Sequence, residues 1–191
     1  VTMDSNRSQR LQQAPLWDFA CAFYADEQVA TACLMLQDEA GVDVCELLFH
    51  AWLYHHGLEA CRQAVERQRP QREAWQREVT FPLRSLRREL KRQAASSPSI
   101  AALREMIKRA ELAAEKENLA AWQAFAETSN DAVNRLRKRP GTRLEAAFWL
   151  QNQVFSIRID GFYSFDVSRR ARLENAWGVL GSRLDPADPA R

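Results

Sequence analysis

A chain of 191 residues, 46% of them hydrophobic, has the size of one domain or one domain with a small appendage, and enough apolar residues for a real core. A net charge of +2 does not single out nucleic acid as a partner, and no apolar run reaches the roughly 20 residues of a membrane span. Six glycines and seven prolines in a background rich in Ala, Leu, Arg, Glu and Gln favour helix throughout, so the expected fold class is mainly α, a helical bundle.

In chain order, residues 1–14 are polar, lack the apolar segment of a signal peptide and read as a frayed lead-in. Pro15 stands where a first helical residue is tolerated, and Leu16, Trp17, Phe19, Ala20, Phe23 and Tyr24 follow at helical spacing. Asp26 can cap a second helix, whose Val29, Ala32, Cys33 and Leu36 recur at i, i+3, i+4 and i+7. Gly41 suits a left-handed helix end, and Asp43-Val44-Cys45-Glu46 has the form of a capping box. The helix that follows carries Val44, Leu47, Leu48, Phe49, Ala51, Trp52 and Leu53, apolar nearly all round, which marks a central helix.

Residues 58–69 read as helix again, Pro70 as a break and Pro82 as a kink. Beyond Pro82, Leu83, Leu86 and Leu90 share one face, with Arg84, Arg87, Arg88, Lys91 and Arg92 on the others. Ser96-Ser97-Pro98-Ser99 links to a long helix from Ile100 to about Thr128, with a seam of Ile100, Leu103, Ile107, Ala110 and Ala114 and a recovery at Leu119, Trp122 and Phe125. Thr142 and Glu145 suggest a capping box for a helix through Leu150. In residues 154–165, Phe155, Ile157 and Ile159 alternate with polar residues ahead of Asp160-Gly161, which predicts a small β-hairpin. Ser168 can cap a last helix ended by Gly181. The expected organisation is a lead-in (1–14), a helical core domain (15–128), a C-terminal appendage (129–184) and a disordered tail (185–191).

Cys21, Cys33, Cys45 and Cys61 are dispersed in apolar patterns without a CxxC pair, as free thiols in a reducing compartment would be, so the expected location is cytoplasmic. Charge is unevenly placed. Residues 11–61 hold Asp18, Asp26, Glu27, Asp38, Glu39, Asp43, Glu46 and Glu59 but no Lys or Arg, whereas every basic residue except Arg7 and Arg10 lies beyond Cys61. Two such halves can complement one another within one fold or across a dimer.

The stretch LWDFACAFYADEQVATACLMLQDEAGVDVCELLFHAWL resembles a bacterial family known only as a domain of unknown function, with the pattern LWxFAxxFYxxxxVxxxCLxLQDxxGxDVNxLLFxxWL. WQREVTFPLRSLRRELK is similar to a second block of the same family, and the likeness spans about Leu16 to Leu119. Cys45 stands where the pattern has Asn. The resemblance implies an all-helical fold and no particular activity.

Chemistry-bearing motifs are sparse. No GxSxG, HExxH, GxGxxG or GxxxxGK is present, and no motif asks for a cofactor. Glu46 and His50, four apart, with His55 or Cys61, are a weak metal set, and none is assigned; the histidines read as half-exposed groups near a helix end. The strongest site candidate is the Gln37-Asp38-Glu39 corner, since two acids at a helix C-terminus oppose the macrodipole. Its bland explanation is a clamp in which Asp38 or Glu39 pairs with Arg84, Arg87 or Arg88.

Two functions stay open. The first is a non-enzymatic interaction or regulatory protein of the bacterial cytosol, acting through a helical surface on a protein partner or as a dimer. The alternative is an enzyme or small-molecule binder with an inter-helical pocket near the Gln37–Asp43 corner. Contact candidates are Tyr24, Gln37, Asp38, Asp43, Arg84, Arg87 and Arg88. A pocket should enclose these groups in a concave, partly apolar space, whereas an interaction surface leaves them paired or flat. Nucleic acid is the weakest reading because aromatics do not interleave with the basic positions.

Overall fold

The computed structural model describes residues 2–128, 136–139, 146–155 and 166–185. Its fold is mainly α. The elements are α1 (Thr2–Gln13), α2 (Leu16–Tyr24), α3 (Glu27–Ala40), α4 (Val44–His55), β1 (Leu58–Ala60), α5 (Arg62–Trp75), a π-helical turn (Gln76–Thr80), α6 (Phe81–Glu89), α7 (Lys91–Ala94), α8 (Pro98–Glu127), β2 (Leu136–Lys138), α9 (Ala146–Phe155) and α10 (Val167–Leu184).

Helix α4 is the centre, with every residue from Glu46 to Tyr54 buried. Phe49 stacks on Trp122 of α8 at 4.9 Å between ring centroids and meets Phe125 edge-on, so α4 and α8 are joined through aromatic faces. Around them, α2 packs on α4 and α8, α9 packs on α4, and α10 lies on α3 and α9. The core continues into the later chain through Trp149, Leu150, Leu173, Trp177 and Leu180.

Local signals explain the corner between α3 and α4. The Asp26 carboxylate caps α3 by accepting from the Gln28 N–H at 2.8 Å. Gly41 ends α3 at φ +64°, a conformation costly for any residue with a Cβ. Asp43 then caps α4, accepting from the Cys45 and Glu46 N–H groups at 2.8 and 3.2 Å. The other half of the expected capping box is not made, because the Glu46 side chain turns inward to Arg69.

Several expectations are corrected. Residues 2–13 are a helix rather than a frayed lead-in, anchored by Leu11 in the core and by Trp52, whose indole N–H donates to the Ala14 carbonyl at 2.8 Å. Leu58–Ala60 is a strand, since Gly57 at φ +68° turns the chain out of α4 and lets it pair antiparallel with Leu136–Lys138. That two-stranded sheet is therefore distant in sequence from the hairpin expected at 154–165. Val154 and Phe155 instead finish α9, and 156–165 lie outside the described residues, as do Thr142 and Glu145. Pro70 lies exposed inside α5 without breaking it. Pro82 follows the π-helical turn, where a wider backbone ring accommodates a residue without an N–H. Asp166, not Ser168, caps α10 by accepting from the Arg169 N–H, and α10 runs past Gly181 to Leu184.

Helix α8 buries Ile107, Ala114, Leu119, Trp122 and Phe125 of the expected seam and sets polar side chains among them. Leu103 and Ala110 are exposed, and the buried row is Ile107, Glu111, Ala114, Asn118, Trp122 and Phe125. Two polar side chains thus occupy packing positions, and both face the cavity described next.

Candidate functional site

A cavity of about 380 Å³ lies among α2, the α3–α4 corner, the π-helical turn, α6 and α8. Trp17, Ala20, Leu48, Leu112 and Leu119 supply apolar wall, and Tyr24, Gln37, Asp43, Gln76, Thr80, Arg84, Glu115 and Asn118 supply polar groups. These residues span Trp17 to Leu119 in the sequence, so the space exists only once five segments have docked.

Of the sequence candidates, Tyr24, Gln37, Asp43, Arg84, Arg87 and Arg88 all line this cavity. Asp38 does not. It lies outside, 58% exposed, with its carboxylate 3.7 Å from the Arg88 guanidinium. An ion pair that exposed contributes at most about 1 kcal/mol. Glu39 points the other way and accepts from Arg172 of α10 at 2.8 Å.

The clamp between the two sequence blocks is real but uses other atoms. Arg84 donates to Gln37 Oε1 at 2.8 Å, to Glu111 Oε1 at 2.9 Å and to Glu115 Oε1 at 2.6 Å. Arg87 donates a second fork to the Glu111 carboxylate. Burial acts to raise Glu111, yet the hydrogen bonds from Arg87 and Arg84 hold it below the ordinary carboxylate range. Glu115 goes the other way, raised by burial more than Arg84 can offset. The α8 partners were missed because they belong to a helix read only for its apolar seam. Their signal was a polar row, Glu111, Glu115 and Asn118, at helical spacing.

Asp43 is the most perturbed acid on the wall. Burial, reinforced by the nearby Glu46 carboxylate, pushes it up to about 6 despite the two backbone N–H groups it accepts from. Burial and the Asp43 charge likewise push the Cys45 thiol well up, which makes it a poor nucleophile. The Tyr24 phenol is raised by burial in the same way.

Two buried polar side chains on this wall lack hydrogen bonds among the described residues. Asn118 is 0% exposed, and neither its carbonyl oxygen nor its amide nitrogen has a partner among the described residues. The hydroxyl of Thr80, buried on the π-helical turn, is in the same state. A buried polar group without a partner costs about 1–3 kcal/mol.

A second cavity, about 570 Å³, opens on the far side of Gln37, Asp43 and Gln76 and is walled by Glu46, Arg69, Arg72, Arg77 and Val154. Here Arg69 grips both Glu46 oxygens, at 2.6 and 2.9 Å. Burial tends to raise Glu46, but the nearby His50 ring and the hydrogen bonds from Arg69 keep it low. His50 is buried rather than half-exposed, 3.6 Å from Glu46. The Glu46 carboxylate is thus committed to Arg69, and among the described residues no three His, Cys, Asp or Glu side chains gather as metal ligands would. No helix among them is long and apolar enough to cross a membrane.

No curated protein and no solved structure matches the chain. A family model does, over residues 15–122, a span that contains the whole cavity wall from Trp17 to Leu119. The chain belongs to the family described as Protein of unknown function (DUF2390).

Proposed function

We propose that the protein binds a small, mainly apolar organic molecule in the cavity among α2, α4, α6 and α8. One observation carries this reading: polar groups from separate sequence blocks line a concave and otherwise apolar space. Its volume of about 380 Å³ is that of ordinary small-molecule sites. The cations on the wall are largely matched by acids, Arg84 and Arg87 by Glu111 and Glu115, which favours a ligand without net charge. Binding alone accounts for these features; an aligned nucleophile and base is not among them.

A protein contact is the second reading. It is favoured by Leu86, Leu103 and Met106, each about half exposed on helices α6 and α8, which pack together. Native mass spectrometry of protein purified gently from a lysate separates the two. A retained small molecule that is lost in Cys21→Trp, where an exposed wall residue is enlarged into the space, supports the cavity reading. An unliganded dimer or a co-purified protein, with Cys21→Trp behaving as wild type, moves the function to the helical surface.

A further inference from the structure

The ligand's chemistry can be read one step further, on the premise that the cavity is a binding site. Asn118 is set into the apolar row of α8, between Ala114 and Trp122, where a leucine would fit the pattern. Its side chain presents one acceptor and one pair of donors side by side. Both are fully buried, both are unpartnered among the described residues, and the residue lines the cavity. The Cys45 sulfur lies close enough to the Asn118 amide to be felt by it, but it is a weak acceptor and meets no hydrogen-bond geometry with it. Other carboxamides on the wall differ: the Gln37 oxygen already accepts from Arg84, and Gln76 is engaged with Asp43. Thr80 adds an unpartnered hydroxyl on the same wall.

A side-by-side donor and acceptor is complementary to a neutral group that carries the same pair, of which an amide edge with N–H and C=O on one side is the plainest case. A carboxylate would satisfy the amide nitrogen and leave the Asn118 oxygen facing negative charge. A hydrocarbon would leave both atoms unpaired, and a ketone would leave the oxygen so. We infer that the cavity takes a neutral molecule whose polar end is a lactam or primary amide, held by a two-point hydrogen bond to Asn118, with its apolar body against Trp17, Leu48 and Leu119.

Three six-membered rings test this by ligand-observed NMR titration of the full chain: δ-valerolactam, cyclohexanone and cyclohexanecarboxylate. The lactam is expected to bind about tenfold tighter than the ketone, as one additional well-formed buried hydrogen bond and the relief of an unpaired oxygen require. In Asn118→Leu that preference should vanish, lactam affinity falling by more than ketone affinity because the lactam loses two hydrogen bonds and the ketone one. Circular dichroism melting checks that the variant folds; if it does not, Thr80→Val, which keeps the shape, is expected to lower lactam affinity more than ketone affinity. Equal lactam and ketone binding to wild type overturns the amide assignment and leaves the cavity reading standing. Preference for the carboxylate also overturns it, transferring recognition to the arginines. Failure of all three rings to bind overturns both readings.

Discussion

Arg84 and Asp38 occupy opposite ends of an energetic range although both join the first sequence block to the second. Arg84 is mostly buried and serves Gln37, Glu111 and Glu115 at once, so Arg84→Met should strand carboxylates in a poorly solvated place. We expect a loss of about 3 kcal/mol in urea denaturation. Asp38→Ala removes only an exposed 3.7 Å pair, and its stability should match wild type within about 0.5 kcal/mol. Asp43 makes a pH-dependent prediction. Its folded value of about 6 lies above its ordinary 3.8, so between those values the folded state holds a proton that the unfolded chain has released. Stability contributed by this group is therefore full below about pH 3.8, falls as pH rises toward 6 and is level above it. Asp43→Asn keeps the helix cap and removes the titration. The stability difference between wild type and this variant, measured by denaturation from pH 3.5 to 7.5, should therefore move against wild type across that window.

Helix α10 offers an element-scale test with an internal control. A Cβ placed on Gly181 would come within 2.5 to 2.8 Å of Ala147 backbone and side-chain atoms, so glycine is what lets α10 approach α9 so closely. Gly178, one turn earlier, faces open space. Gly181→Ala should lower stability by about 1–3 kcal/mol through overpacking. Gly178→Ala should raise it by up to about 1 kcal/mol through helix propensity. Thermal melts of the two variants should thus shift in opposite directions. The π-helical turn works at the same scale. It carries Gln76 and Thr80 to the cavity wall while delivering the chain to Pro82, so one backbone irregularity serves both the site and the helix that begins after it.

At the scale of the molecule, the uneven charge of the chain resolves inside the fold. Asp26, Asp38, Glu39, Glu46 and Glu59 from the acidic stretch meet Arg183, Arg88, Arg172, Arg69 and Arg137 from the basic remainder. Later residues also complete the core, since Trp149, Leu150, Leu173, Trp177 and Leu180 join the same cluster as Trp52 and Trp122. Deleting residues 141–191 should therefore abolish the cooperative thermal transition, followed by circular dichroism. A truncated chain that melts sharply would instead mark 15–128 as a domain of its own.

The helices and their punctuation were legible residue by residue, because capping by Asp26 and Asp43 and chain reversal at Gly41 act over two or three positions. The mainly α class followed from composition for the same local reason. Candidate residues Tyr24, Gln37, Asp43 and Arg84 could be named in advance, with a pocket around them as one of two readings, yet the choice of that reading, the exclusion of Asp38 and the inward row Glu111, Glu115 and Asn118 could not. Each of these depends on which face of α8 docks on α4 and α6, a choice made by the aromatic contact of Phe49 with Trp122 and by the reach of Arg84. The pairing of Leu58–Ala60 with Leu136–Lys138 is likewise a long-range event, and three residues beside a helix carry no local signal of it.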